Sequence, residues 1–557
     1  MTSLKQPSRD TLTLAARGDE ADIAVATPPT DDEVYWYYGP QMRWVQVVLM
    51  VAFVLAAWSL LQFTLSAVKY LWPMLIVLVL NVVGNVLAAL TSFNSRRVSG
   101  KRHRAMVLLW DPPGPLPSVD VFLPTYGEDL SVLRNTYRYV AAMDWGGAFN
   151  VYVLDDGARA SVQQLAAEVG FHYLVRPNRG FMKKAGNLQY AYSQTSGDHI
   201  VILDADFCPR HDFLKHLMPY MDDTTVGIVQ SPQYFDTDDD LNWIQRTAGA
   251  TQELFYRWIL PSRDRFDAAV CVGTCAIYRR EALVAAGGFA QIEHSEDIHT
   301  GLFLMRAGYH TRYVPVIVSR GLCPSDLAGF LNQQYRWCNG SLVRLDNEHL
   351  AGADLKMTLR QRLCFWAGVL YYITTALNVL AMYIPGLIMA TFFPDQVQPI
   401  QFVPFLVGLW VYLVALPLVS RGRWRFEVLR IQMAYGYAHI VAISDKLRGR
   451  SAGWVPTGAV GATNSLARSI SRVGATSIML SLVPFWAVVI YDIDRYGVRR
   501  FWLMAVFLVL YTYLALPLLV EFTKILRLAA AADRQKRSAA RARHRSRSRS
   551  RLAQVAA

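Results

Sequence analysis

The chain has 557 residues, of which 53% are hydrophobic and only 18% charged. A soluble domain carries about 25% charged residues, so this is neither a fully soluble protein nor a disordered or collagen-like one. Six cysteines without a C-x-x-C spacing exclude a disulfide scaffold and a zinc site, and read as reduced, buried thiols in a cytosolic compartment.

Residues 1–41 are polar, rich in Asp, Thr and Pro, and read as disordered. Crossing the hydrocarbon takes about 20 apolar residues. Six segments qualify or come close: Val45–Phe63, Tyr70–Leu90, Leu363–Phe392, Phe402–Val419, Ala475–Tyr491 and Phe501–Val520. The first starts too far in to be a signal peptide. Lys and Arg crowd the connection after the second span (Arg96, Arg97, Lys101, Arg102, Arg104) and the one after the fourth (Arg421 to Arg450). The positive-inside rule then puts both termini and the long segment 105–360 in the cytosol.

That segment alternates strand and helix. "VDVFLP", "VYVLDDG" and "HIVILDADF" are short apolar runs ending in turn residues, with helical stretches such as Leu130–Met143 between them. This is the rhythm of an α/β domain with a mostly parallel sheet. Ligands of such sheets bind outside the carboxyl ends of the strands. Two of these strands end in acids, Asp155-Asp156 and Asp204-Ala205-Asp206. A hard oxygen pair such as Asp204 and Asp206 suits Mg²⁺ or Mn²⁺ bridging a diphosphate. Arg179, Lys183 and Lys184 can meet phosphate oxygens. In the pair Glu296-Asp297 one carboxylate can serve as a general base. In "QQYRW", Gln333 to Trp337, the arginine can neutralise a diphosphate and the tryptophan offers a flat face to a sugar ring. Beyond the last span the charge piles up. Of the net +13, residues 522–557 hold eleven Lys and Arg against one acid, Asp533. Such a tail reads as disordered, holding the C-terminus in the cytosol or touching anionic lipid.

The order D-D-G, D-x-D, E-D and Q-x-x-R-W, all between membrane spans, resembles the processive family 2 glycosyltransferases. The bacterial cellulose synthase catalytic subunits are the nearest likeness, through "LPTYGED", "KAGNL" and "FYRWILPSRDRFDAAV"; hyaluronan and chitin synthases share Q-x-x-R-W. The resemblance implies a GT-A-like domain at 105–345, inserted between pairs of membrane helices at 42–92, 363–420 and 474–521. Segment 346–362 would be interfacial, 421–473 an interfacial helix plus a gating loop, and 522–557 a basic disordered tail. It implies that Thr125, Tyr126 and Asp156 hold the uracil end of a UDP-sugar, with Glu128 and Asp155 also binding substrate, and that Asp204 and Asp206 hold the ribose and the metal–diphosphate. Lys184 and Arg336 would neutralise the leaving UDP. Glu296 and Asp297 would be the catalytic acids, with Asp297 the base. Gly273, Thr274, Gln333 and Trp337 would meet the acceptor, and Trp454 and Thr457 would belong to the gating loop.

Val272 stands where cellulose synthases have cysteine. No cyclic-di-GMP-binding PilZ barrel is expected in the tail, and no nucleic-acid partner. The implied activity is polymerisation of a UDP-sugar, most simply UDP-glucose, into a β-linked glucan passed across the plasma membrane, with accessory export subunits as possible partners. Hyaluronan, chitin, mannan or β-1,3-glucan synthesis, and a single transfer to a lipid carrier, stay open. Trp366, Tyr371, Tyr372, Asn378, Trp410 and Tyr412 are candidates to line a channel.

Overall fold

In the computed structural model, residues 24–38, 43–94, 96–112, 114–342, 357–422, 424–450 and 465–556 are described. Two apolar runs come first as membrane-length helices, α1 (Arg43–Ser66) and α2 (Pro73–Ser92). Pro73 opens α2, where a missing N–H leaves no helix bond unmade. Helix α3 (Gly100–Leu109) is capped by Ser99, whose side chain accepts from the Arg102 N–H, and leads into the α/β domain.

The domain runs β1 (Val119–Thr125), α4 (Leu130–Ala141), β2 (Phe149–Asp155), α5 (Ala160–Glu168), β3 (His172–Leu174), α6 (Lys183–Gln194) and β4 (His199–Ile202). Then come β5 (Cys208–Pro209), β6 (Val226–Gln230), β7 (Tyr234–Phe235), α7 (Trp243–Leu254), a π-helical turn Phe255–Ile259 and α8 (Leu260–Asp264). It ends with β8 (Ala276–Arg279), α9 (Glu296–Arg306), β9 (His310–Tyr313), β10 (Ser319–Gly321) and α10 (Leu327–Leu342). Seven strands form one sheet in the order β3-β2-β1-β4-β8-β6-β9. Its pairs are parallel except where β8 lies antiparallel between β4 and β6. Strands β1, β4 and β6 are buried nearly end to end, because helices cover both faces of the sheet. The β1–β2 register sets Thr125 opposite Asp155, and β4 also runs parallel to β1, so the turns after β1, β2 and β4 leave the sheet at its carboxyl end. A second, three-stranded sheet has the order β5-β10-β7.

After α10 come α11 (Leu359–Ala381), α12 (Ile384–Phe392), α13 (Val403–Val419), α14 (Val428–Leu447), α15 (Ser465–Tyr496) and α16 (Val498–Ala556). Among the described residues, six helical stretches are long and apolar enough to cross a membrane: α1, α2, α11 with α12, the one ending in α13, α15, and α16 to Gln535. This is the number the hydropathy pattern predicts. Helix α14 is not among them; it packs against α10, α11 and α15, in keeping with its charged residues. Asn81 of α2 and Asn378 of α11 exchange amide hydrogen bonds of 2.8 and 2.9 Å, a polar link between helices otherwise held by packing. All six cysteines are free and buried.

Two expectations fail. Residues 24–38, expected to be disordered, form an ordered strap on the domain. Val34 and Tyr37 are buried, Ile317 N donates to Val34 O at 2.9 Å, and Arg210 and Arg320 pair with Asp31 and Glu33. A polar stretch lacks the apolar area to fold alone; here buried arginines about 180 and 290 positions later supply its counter-charge, which no local pattern reveals. Truncating Tyr37→Ala should lower stability by about 3 kcal/mol, as for other emptied aromatic sites, and expose the strap to protease; thermal unfolding and limited proteolysis check both. The basic tail is the second failure: α16 runs unbroken to Ala556. Its Ala, Arg and Gln are good helix formers, and extending a formed helix avoids the cost of nucleation.

Candidate active site

The turn after β1 is organised by Glu128. Its Oε2 accepts from Thr125 Oγ1 at 2.6 Å, Tyr126 N at 2.8 Å and Gly127 N at 3.1 Å. This leaves the Tyr126 ring in the open, 45% exposed. The adjacent acids of the next turn do different jobs. Asp155 is 0% exposed, and accepts from Gly157 N, Arg159 N and Tyr173 Oη at 2.7–3.0 Å. It shapes the turn and does not reach the cleft, against expectation, because the strand pleat sends it inward. Asp156 takes a two-pronged grip from the buried Arg176, with both contacts at 2.5 Å. Arg176 went unnoticed in the sequence; it stands in the same "VRPNRG" loop as Arg179, and only the fold shows which arginine turns inward.

The second acid turn meets α6, the β8 turn and α9. Lys184 Nζ donates to Asp204 Oδ1 at 2.5 Å and to Gly273 O at 3.0 Å. Asp204 N donates to Thr274 Oγ1 at 2.8 Å, so the buried Thr274 fixes the D-x-D backbone. Gly273 has φ +75°, and an added Cβ would stand 2.9 Å from Asp297 Cβ. Only glycine fits there. Gly273→Ala should cost about 1–3 kcal/mol of stability and displace Asp297, read out by thermal unfolding and by loss of turnover. A Cβ on Gly340 would fall 1.7 Å from Ser295 Oγ, so glycine also lets α10 approach the start of α9.

Around Lys184 lies a dense set of carboxylates. Burial, then the charge of Glu296, pushes Asp297 up to about 7. Burial also raises Glu296. Asp206 rises to about 7 through burial and the charge of Asp204. Arg336 is lowered by burial, against the pull of Glu296, Asp204 and Asp297. Three side chains from separate elements — Asp204 after β4, Asp297 on α9, Arg336 on α10 — thus share one electrostatic pocket.

Among the described residues, no cluster of three or more Asp, Glu, His or Cys could hold a metal ion. Asp204 and Asp206 are hard oxygen donors two residues apart, suited to a divalent cation whose remaining ligands come from substrate and water. They fit an ion that arrives with a diphosphate better than a permanently caged one.

Asp297 and Trp337 line a single cavity of about 700 Å³ that continues between the membrane helices. From α10 it takes Gln334, Trp337 and Ser341. Gln333, the expected glutamine, lies one position round the helix and is not in the wall. Of the six channel candidates, Tyr371, Tyr372, Asn378 and Tyr412 line the cavity. Trp366 and Trp410 do not; they face outward, 50% and 65% exposed. Trp454 and Thr457 lie outside the described residues.

Residues 199–419 match the family described as glycosyl transferase family group 2. Over 263 residues the chain is 39% identical to the UDP-forming cellulose synthase catalytic subunit of Xanthomonas axonopodis pv. citri (strain 306), covering 46% of this chain. Over 274 residues it is 38% identical to cellulose synthase 1 catalytic subunit of Komagataeibacter xylinus, covering 48% of this chain. In both cases the match spans 36% of the relative's length. A mannosyltransferase from Pyrobaculum calidifontis, solved with GDP-Man and Mn²⁺, is 18% identical, with 67% of this chain and all of that one covered at a TM-score of 0.38. Over residues 199–419 the chain is thus similar to the family 2 glycosyl transferases, and over about half of its length to the catalytic subunits of cellulose synthases.

Proposed function

We propose that the protein is a membrane-embedded inverting glycosyltransferase that polymerises UDP-glucose into a β-linked glucan and passes it across the membrane, with its α/β domain and termini in the cytoplasm. The observation that carries this reading is that Asp297 and Trp337 open into the same cavity as the tyrosines of α11 and α13. The likeness to cellulose synthases supports the donor and the linkage.

Thr125, Tyr126 and the Asp156–Arg176 pair would receive the uridine. Asp204 and Asp206 would hold Mg²⁺ or Mn²⁺, which when bound offsets charge on the departing diphosphate. Lys184 and Arg336 add fixed positive charge on the same side. Asp297 takes the proton from the acceptor hydroxyl as that oxygen attacks the anomeric carbon. With a value of about 7 it is well matched to this work near neutral pH. One displacement inverts the centre, giving a β-bond without a covalent enzyme intermediate. Trp337 holds the acceptor ring flat against its indole, and the lengthened chain moves on past Tyr371, Tyr372 and Tyr412.

Incubating the protein in proteoliposomes with labelled UDP-sugars and Mg²⁺ or Mn²⁺ tests the reading. A long polymer from UDP-glucose, degraded by a β-1,4-glucanase and recovered inside the vesicles, is the expected result. Short product, or polymer wholly outside, would refute processive translocation.

A further inference from the structure

One charged side chain in the cavity plays no part in this mechanism. Arg263, on α8, is only 7% exposed and lines the cavity wall. Among the described residues its guanidinium has no carboxylate and no hydrogen-bond partner. The groups that bear on it are the Cys364 thiol and the Tyr372 hydroxyl, neither of them a carboxylate. Other buried arginines of the domain are paired: Arg257 with Glu253, Arg312 with Asp264, Arg176 with Asp156. A buried, unpaired cation is strongly destabilising, so a counter-anion should occupy this place in the working protein.

Its position is fixed. The π-helical turn Phe255–Ile259 re-aims the chain just before α8. The neighbouring Ser262 hydroxyl is within 2.8 Å of Ser92 O and of Asn94 O, at the end of α2. Arg263 is thereby held where α2 meets the domain. From there the wall continues as Leu49 and Phe53 of α1, Ala88 of α2, and Phe405 and Leu409 of α13. These apolar residues, the cavity's apolar arm, all stand on membrane helices, where Asn85 and Thr91 of α2 also line the wall; Asp297 and Trp337 line the same cavity.

We infer that the cavity binds a phosphate-headed lipid, its phosphate on Arg263 and its tail along α1, α2 and α13. Free phosphate would leave the apolar arm empty, and a neutral glucan would leave the guanidinium without a counter-charge. One amphiphile satisfies both. The inference deepens the transferase reading at its acceptor end and rests on that reading for its meaning, though not for its test.

The full chain, delipidated in detergent, is titrated with dioleoyl phosphatidic acid, an isoprenyl monophosphate, dioleoylglycerol and inorganic phosphate, and bound species are counted by native mass spectrometry. Both phosphate lipids should bind, dioleoylglycerol and inorganic phosphate far more weakly. Arg263→Gln should weaken lipid binding about 10–100-fold, the range for losing charge-assisted hydrogen bonds; Arg263→Lys should keep part of it. Leu409→Trp, filling the apolar arm, should weaken both lipids. Without lipid, Arg263→Gln should be at least as heat-stable as the parent, because it removes an unpaired buried charge. Equal lipid binding by Arg263→Gln, or inorganic phosphate binding as tightly as the lipids, overturns the proposal. Sugar label appearing on the isoprenyl phosphate assigns an acceptor lipid; phosphatidic acid bound tightly with no label assigns a membrane lipid. A chain that binds lipid but never releases UDP refutes the transferase reading alone.

Discussion

Asp297→Asn should lower polymerisation from UDP-glucose by about 10²–10⁴-fold, the usual worth of a general base, with donor binding left nearly intact. The substitution keeps the shape and removes only the proton acceptor. Asp297 is raised to about 7 by burial and by Glu296, so the parent's rate should climb as pH rises through that value and the ionised fraction grows. The residual rate of the variant should lack that limb. Stability runs the other way. A carboxyl whose folded value lies above its unfolded one stabilises the protein at low pH, and that contribution is lost as pH rises through about 7. Asp297→Asn should therefore unfold at a higher temperature than the parent at pH 8, with the difference shrinking towards pH 5. Full polymerisation by the variant would remove Asp297 from the base role.

How much of this site could be read from the sequence depended on whether the signal was local. Apolar strands ending in acids are local, and so are six apolar helices and the spacing of Gln333, Arg336 and Trp337. What stayed hidden depends on direction. Asp155 and Asp156 are chemically alike, and only the pleat decides that one is buried and the other grips Arg176. Gln333 and Gln334 are neighbours, and the rotation of α10 chooses between them. Trp366, Trp410, Tyr371 and Tyr412 sit on helices that are hydrophobic all round, so no periodicity tells lipid face from cavity face. The strap at 24–38 was missed because its partners, Arg210 and Arg320, are remote in sequence. Arg263 drew no notice because it stands in the charged run Arg263-Asp264-Arg265, and only the fold shows that Asp264 is paired with Arg312 instead.

Lys184→Met should be the other severe change, lowering turnover at least about 100-fold and moving the pH profile as well. Its ammonium bonds Asp204 and Gly273 O, and its charge also bears on Glu296 and Asp297. Take it away and Asp204, Asp206, Glu296 and Asp297 are left in one buried pocket with Arg336 as the remaining nearby cation. Like charges crowded in this way hold protons longer, by about 1–3 pKa units when an opposite charge is lost at close range. The acid limb of the rate profile, set by Asp297, should shift to higher pH by that order. Lys184→Arg should restore little, because a planar fork cannot place one compact charge between a carboxylate and the Gly273 carbonyl. The readout separates electrostatics from misfolding. A merely unfolded variant loses rate at every pH, whereas the charge argument requires partial recovery in alkaline buffer. A profile with its limb unmoved near pH 7 would mean that Lys184 does not govern Asp297.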